Sequence, residues 1–287
     1  MVASTSPLVS ADWLTKNLEA PDLRIVDATW FAPFTNPPET GHAAYSKAHI
    51  PGAVYFDIDE IADPASELPH TVPPPHVFSS KVRKLGLGDG NRVIVYDRNS
   101  FFASARAWWL FRYMGHRDVY VLDGGLDAWL ATGSETADLP PVAVERHFTS
   151  RVRGDLIKTL EQIVEISGEG SQRIVDARPT GRFAGAVPEP REGLPPGHIP
   201  GSASLPSGEL IGADGRFKSA DEVRAAFEAA NVMASDPFIA TCGSGVSAAI
   251  LALGAAVTGN DLVSIYDGSW TEWASDPSRP TATGTAS

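Results

Sequence analysis

Short apolar runs rich in β-branched residues recur along this chain and alternate with longer stretches in which apolar positions return every three or four residues. Ile25-Val26, Val93-Ile94-Val95 and Val119-Tyr120-Val121 are runs of the first kind and read as buried strands. Ala103 to Met114 (ASARAWWLFRYM) and Ala220 to Ala230 (ADEVRAAFEAA) are of the second kind and read as helices. Strands alternating with helices predict α/β domains built on mainly parallel sheets flanked by helices. Sites in such sheets gather beyond the carboxyl ends of the strands.

The pattern also occurs twice. LRIVDATW with Asp27 is echoed by QRIVDARP with Asp176, and AHIPGAVYF with His49 by GHIPGSASL with His198, both at an offset of 149. RVIVYD ending at Asp97 matches PFIATC ending at Cys242, and VLDGGLDAW at Asp123 matches IYDGSWTEW at Asp267, at offsets of 145 and 144. Four matches in one order at nearly one spacing indicate a tandem duplication. The expected organisation is a first domain over residues 1–138, a linker over 139–153 where the pattern lapses and proline appears, and a second domain over 154–287.

Composition narrows the partners. The formal net charge of -12 argues against nucleic acid or an anionic membrane, since both select basic surface. A single cysteine cannot close an intramolecular disulfide, and nothing demands an oxidising compartment. The N-terminal MVASTSPLVSADW has neither a basic segment nor an apolar core of a signal peptide, and no run approaches the ~20 apolar residues of a membrane span. A cytoplasmic protein is the expectation. No His/Cys cluster has ligand spacing, so neither a metal nor another cofactor is expected.

The lone thiol stands out. Cys242 follows the apolar run Phe238 to Thr241, and Gly243, Ser244, Gly245, Val246 and Ser247 form a small-residue turn before an alanine-rich helix starting near Val246. A cysteine is by habit a small buried hydrophobe. Here the turn would aim N–H groups inward, and the helix start would stabilise a thiolate, which makes Cys242 a candidate nucleophile. The same residues fit G-x-G-x-x-A, a dinucleotide fingerprint, but too little chain follows Asp267 to complete a nucleotide-binding sheet, and the sister segment YDRNSFFASA has no such fingerprint.

The tandem repeat, the paired HIPG segments, the DGG and DGSW segments and the strand-ending CGSGVSA together resemble the two-domain rhodanese-like sulfurtransferases, from Val9 to about Trp273. The resemblance implies a persulfide on Cys242, a small-molecule sulfur donor, and a thiol, cyanide or thioredoxin-like protein as acceptor. The loop carries no charge, whereas thiosulfate-using relatives are expected to carry a basic one, so 3-mercaptopyruvate is the expected donor and pyruvate the product. Thiosulfate transfer, or a persulfide carrier without turnover, are the alternatives. Phosphatases of the same fold use a longer loop closed by arginine, which is missing here. Ser247 stands where the family usually has threonine.

The resemblance maps substrate-binding arginines onto Arg182 and Arg191 in GRFAGAVPEPREGLPPGHIPG, where forked guanidiniums suit a carboxylate. Gly243, Gly245, Val246 and Ser247 join them as donor-binding loop positions. It also implies a relay from Asp59 through a histidine to Ser244, with His70 or His76 as the histidine. That relay would put first-repeat residues against the second-repeat loop. Asp97 replaces the nucleophile in the first repeat, which is expected to be non-catalytic. The HIPG segments read as structural turns, Asp27 and Asp176 as bonding backbone or an arginine, and the tryptophans as core, with Trp270 a candidate for the site's rim.

Overall fold

The computed structural model describes residues 6–285, which divide into two compact units. The first unit carries strands β1 (Leu8–Val9), β2 (Leu23–Asp27), β3 (Ala53–Tyr55), β4 (Arg92–Tyr96) and β5 (Val119–Leu122). Helices α1 (Ala11–Asn17), α2 (Gly41–Lys47), α3 (Pro75–Lys84), α4 (Ser104–Tyr113) and α5 (Gly125–Ala131) connect and cover them. The strands lie in the order β1-β5-β4-β2-β3, and every pairing is parallel.

The second unit repeats the plan. Strands β6 (Ile157–Lys158), β7 (Ile174–Asp176), β8 (Ala203–Ser204), β9 (Ile239–Thr241) and β10 (Ser264–Tyr266) lie in the order β6-β10-β9-β7-β8, again all parallel. Its helices are α6 (Leu160–Glu169), α7 (Thr180–Phe183), α8 (Ala220–Ala229), α9 (Ala248–Val257) and α10 (Ser269–Ala274). Identical strand order in both units is the structural counterpart of the sequence repeat. Each is an α/β layer fold with a five-stranded parallel sheet.

Inner strands of such a sheet are covered on both faces, which is why β4 (RVIVY) and β9 (IAT) are apolar runs without alternation. The helix after each follows the same logic. In α9 (AAILALGAAV) every residue but Val257 is buried, and a helix without a polar face can lie only in the interior. The surface helices α6 and α8 instead bury a single stripe, Ile163 in one and Val223 with Phe227 in the other, and both open with capping boxes, Thr159 with Gln162 and Ser219 with Glu222. The helix read over Ala103 to Met114 spans Ser104–Tyr113, because its two end residues are the caps. Among the described residues no helix is long and apolar enough to cross a membrane.

The HIPG histidines act as clamps. His49 Nδ1 lies 2.8 Å from the Tyr45 carbonyl with its ring stacked on Tyr45, and His198 Nδ1 lies 2.8 Å from the Phe183 carbonyl with its ring stacked on Phe183. Each histidine also exchanges two backbone hydrogen bonds with the tail of its own repeat, His49 with Ala137 and His198 with Ala282. One residue thereby ties a helix end, the turn into a strand and the closing tail together. Burial lowers the pKa of His198.

Leu139 to Arg153 forms neither helix nor strand and lies along the first unit, where Asp89 N donates to His147 O at 2.8 Å and Arg151 N to Met114 O at 2.7 Å. Two short segments fall outside the simple halving of the chain. The first unit takes in Ala213–Phe217, and the second takes in Ser66–Thr71, which contains His70.

Candidate active site

The strand β9 delivers Cys242 to its carboxyl end beside β7, where the strand order turns back on itself. The thiol residue is 2 % exposed. Gly245 has a φ of 77°, a left-handed turn that glycine adopts without steric cost, and Val246 and Ser247 complete a turn before α9 begins at Ala248. The helix thus starts two residues after the expected point. Ser244 and Val246 are buried and Ser247 is half-buried at the helix N-cap.

A serine that the sequence reading did not single out anchors this loop from below. Ser269 Oγ accepts the N–H of Cys242 at 3.2 Å and of Gly245 at 3.0 Å, and donates to the Tyr266 carbonyl at 2.8 Å. Next to it, Thr271 donates to the Gly243 carbonyl twice, from its backbone N–H at 3.0 Å and its hydroxyl at 2.6 Å. Trp270 N donates to the Cys242 carbonyl at 3.0 Å. Three consecutive residues, Ser269 and Trp270 of the DGSW segment and Thr271 just after it, therefore hold the loop.

Arg182 and Arg191 come together over the loop. A Cβ on Gly243 would lie 3.2 Å from Nη2 of Arg182 and 3.7 Å from Nη1 of Arg191, so the glycine closes on guanidinium groups. A dinucleotide fingerprint would need that face open to a pyrophosphate. Arg191 Nη2 donates to Ser244 Oγ at 3.3 Å, and Nη1 reaches Thr271 Oγ1 at 3.5 Å, both long for hydrogen bonds.

Two further charged residues that the sequence reading did not assign complete the cluster. Arg178, fully buried, grips Asp176 with Nε at 3.0 Å and Nη2 at 2.6 Å, donates from Nη1 to Glu189 at 2.8 Å, and lies 4.7 Å above the ring of Trp270. Burial opposes its charge, but Asp176 and Glu189 overcome that and hold its pKa above the ordinary arginine value. Glu189 also receives Arg182, from Nε at 3.1 Å and from Nη2. Asp176 thus meets the expectation of an arginine partner, and Trp270, with Nε1 donating to Pro195 O at 3.0 Å, forms the floor beneath Arg178.

The matching loop of the first unit holds an anion already. Asp97 stands at the end of β4 as Cys242 does at the end of β9, and its carboxylate accepts four backbone N–H groups, from Asn99 at 3.2 Å, Phe101 at 3.1 Å, Ala103 at 3.0 Å and Ser104 at 2.8 Å. Burial nonetheless raises the Asp97 pKa, with those N–H groups pulling it back. Asp27, the counterpart of Asp176, bonds backbone: its Oδ1 accepts Thr29 N at 2.9 Å.

The other sequence candidates fall as follows. Asp59 belongs to the first unit and accepts Trp30 Nε1 at 2.6 Å. His70 belongs to the second unit, is 7 % exposed and has a left-handed backbone with φ of 62°. His76 is exposed on α3 of the first unit. The unit that contains Cys242 therefore contains His70 and lacks His76.

Two stretches of the chain, residues 10–132 and 159–276, match the family of the rhodanese-like domain. The chain belongs to the rhodanese-like family and, within it, to the two-domain sulfurtransferases. It is 39% identical to the human 3-mercaptopyruvate sulfurtransferase, over 93% of this chain and 91% of that protein. It is 40% identical to the thiosulfate sulfurtransferase of Bos taurus, again over 93% and 91%. Its fold matches the crystal structure of the 3-mercaptopyruvate sulfotransferase SseA from Escherichia coli with a TM-score of 0.85 and 35% identity, covering 92% of this chain and 99% of that one.

Proposed function

We propose that this protein takes sulfur from 3-mercaptopyruvate onto Cys242, releases pyruvate, and passes the sulfur to a thiol, cyanide or a thioredoxin-like protein. The observation that carries the reading is the pair of guanidiniums over Gly243, next to the only cysteine. Relatives that use either donor are equally similar, so the choice of donor rests on site chemistry. An uncharged loop facing arginines suits an α-keto carboxylate, whose two oxygens take a planar fork.

In the first half-reaction the Cys242 thiolate attacks the donor sulfur. The bond between that sulfur and carbon breaks, its electron pair passes to carbon, and the resulting enolate takes the proton released by the donor thiol to become pyruvate. Arg182 and Arg191 bind the carboxylate and keto oxygen and stabilise the charge that grows on the enolate oxygen. Ser244, with His70 of the same unit as its partner, moves the thiol proton. Gly243, Val246 and Ser247 shape the pocket and turn N–H groups toward the persulfide, as the sister loop turns four toward Asp97, while Gly245, whose N–H is held by Ser269, supplies the left-handed turn. An acceptor thiolate then attacks the outer sulfur, and Cys242 leaves as thiolate.

Intact-protein mass spectrometry after addition of each donor is the test. One added sulfur with mercaptopyruvate, with pyruvate released, and neither with Cys242→Ser, is the expected result. Pyruvate release by Cys242→Ser overturns the reading. Faster loading from thiosulfate selects the other donor, and loading without turnover selects a carrier.

A further inference from the structure

A cleft of about 360 Å³ lies in the first unit beside the residues that open β2 and β3, at the end of the sheet away from the Asp97 loop. Leu23, Val54 and Leu85 give it an apolar lining, and Val142 and Val144 of the irregular 139–153 segment close one side. That side is pinned in place: Arg83 Nε donates to Arg146 O at 3.1 Å, and a Cβ on Gly86 would lie 3.3 Å from the Val144 carbonyl. Yet Val142 and Val144 remain 94 % and 68 % exposed, so the segment presents apolar surface that the fold itself does not cover.

Two guanidiniums, of Arg24 and Arg146, line the same cleft. Burial lowers the pKa of half-buried Arg24 and the charge of Arg146 lowers it further, so the two cations stand close enough to repel. Among the described residues neither has an ion-pair partner. Asp22 attracts Arg24 more weakly than Arg146 repels it and is committed to Arg92 at 2.6 and 2.9 Å, and Glu19, the one carboxylate on the lining, bonds neither arginine. Arg24 gives Nη1 to the carbonyls of Pro21 and Leu23, which leaves Nε and Nη2 as one donor edge. Such an edge matches the two oxygens of a carboxylate, and an anion between like charges relieves their repulsion. An apolar cleft of this size with few polar groups has the make-up of a small-molecule site. We propose that the first unit, which lacks the nucleophile, binds a small apolar monocarboxylate here, with its oxygens on Arg24 and Arg146 and its hydrocarbon body against Leu23, Val54 and Val144. The proposal does not depend on which donor loads Cys242.

The test titrates octanoate into the purified full-length protein and reads the amides of Gly52 and Gly86, both on the cleft wall, by NMR. Saturable shifts of both amides are expected. The dissociation constant should rise about tenfold or more in Arg24→Gln and in Arg146→Gln, since each loses a charge-assisted contact. Inorganic phosphate, an anion without a hydrocarbon body, should bind at least about tenfold more weakly than octanoate. Absent shifts, wild-type affinity in either glutamine variant, or phosphate binding as tight as that of octanoate overturns the proposal. Binding that survives both substitutions and is lost in Arg191→Ala belongs to the Cys242 site, which overturns it equally. If Arg24→Gln does not fold, Arg146→Gln, which alters an exposed side chain, decides alone.

Discussion

Ser269 and Gly125 take the same left-handed turn in the two repeats, with φ of 52° and 56°, and only one of them has a side chain. In the first unit a Cβ at Gly125 would lie 2.2 Å from the Asp97 carbonyl, so glycine is required. In the second unit the backbone carries a serine through the same turn, at a cost on the order of 1 kcal/mol or more. Its hydroxyl makes the three hydrogen bonds that set the Cys242 loop.

Replacing Ser269 by glycine relieves the turn and removes the anchor. Folded stability should change little, because lost hydrogen bonds of about 1 kcal/mol each are offset by relieved strain. The single-turnover rate of persulfide formation should fall about tenfold or more, since small displacements of a nucleophile are costly. Thermal melts and rapid-quench kinetics separate the two; an unchanged rate removes Ser269 from the positioning of Cys242.

The two arginines should not respond alike. Arg191 makes long contacts to Ser244 and Thr271, whereas Arg182 is committed to Glu189. Arg191→Ala should cost on the order of 1.5–3 kcal/mol with mercaptopyruvate, roughly ten- to a hundredfold in kcat/KM, and less with thiosulfate, which has no carboxylate to orient. Arg182→Ala should cost less than that and also destabilise the fold, because it strips a partner from buried Glu189. Steady-state kinetics with both donors, beside urea melts, check the asymmetry. Equal losses at both positions and with both donors would reduce the pair to a general positive field.

Asp97→Ala tests the sister loop. Four backbone N–H groups would lose their acceptor, and orphaned buried donors cost about 1–3 kcal/mol apiece before any relaxation or hydration, so a loss on the order of 3 kcal/mol or more is expected. Asp97→Asn, which keeps one carbonyl oxygen, should fall between. Urea unfolding of the three proteins reads this directly; an unperturbed Asp97→Ala would mean that water takes over all four bonds.

His198 gives acid sensitivity with a definite sign. Its folded pKa lies below the ordinary 6.5, because burial disfavours the imidazolium. The unfolded chain therefore binds the proton more readily, and stability is lost as pH falls through 6.5 toward the folded value. His198→Gln should be less stable than wild type at pH 7.5 and should lose less on going to about pH 5. Parallel melting curves for wild type and variant would refute this.

The duplication was legible because both repeats keep the residues their backbones need, the strand-ending aspartates and the HIPG clamps. Cys242 was legible because a thiol between an apolar strand and two glycines has few structural explanations. Arg182 and Arg191 were read through resemblance, and the fold brings both over Gly243. Arg178 and Glu189 were not read, since nothing local marks an arginine as buried when its partners, Glu189 and the Gly197 carbonyl, arrive from the next loop. Ser269 was hidden for another reason: a left-handed φ leaves no trace in the side chain that pays for it. His70 was written in the first repeat but packs in the second unit, and chain order carries no record of that.

The all-apolar helix α9 has a consequence for how the loop can behave. With nearly every residue of α9 packed in the interior, the helix has no solvent face along which to slide or tilt, so the Cys242 loop at its head cannot adapt by moving its support. Under the proposed function recognition is lock-like: the donor would have to conform to a cradle whose shape was settled when the core closed, and the geometry proposed to carry sulfur would be inherited from the hydrophobic packing of α9.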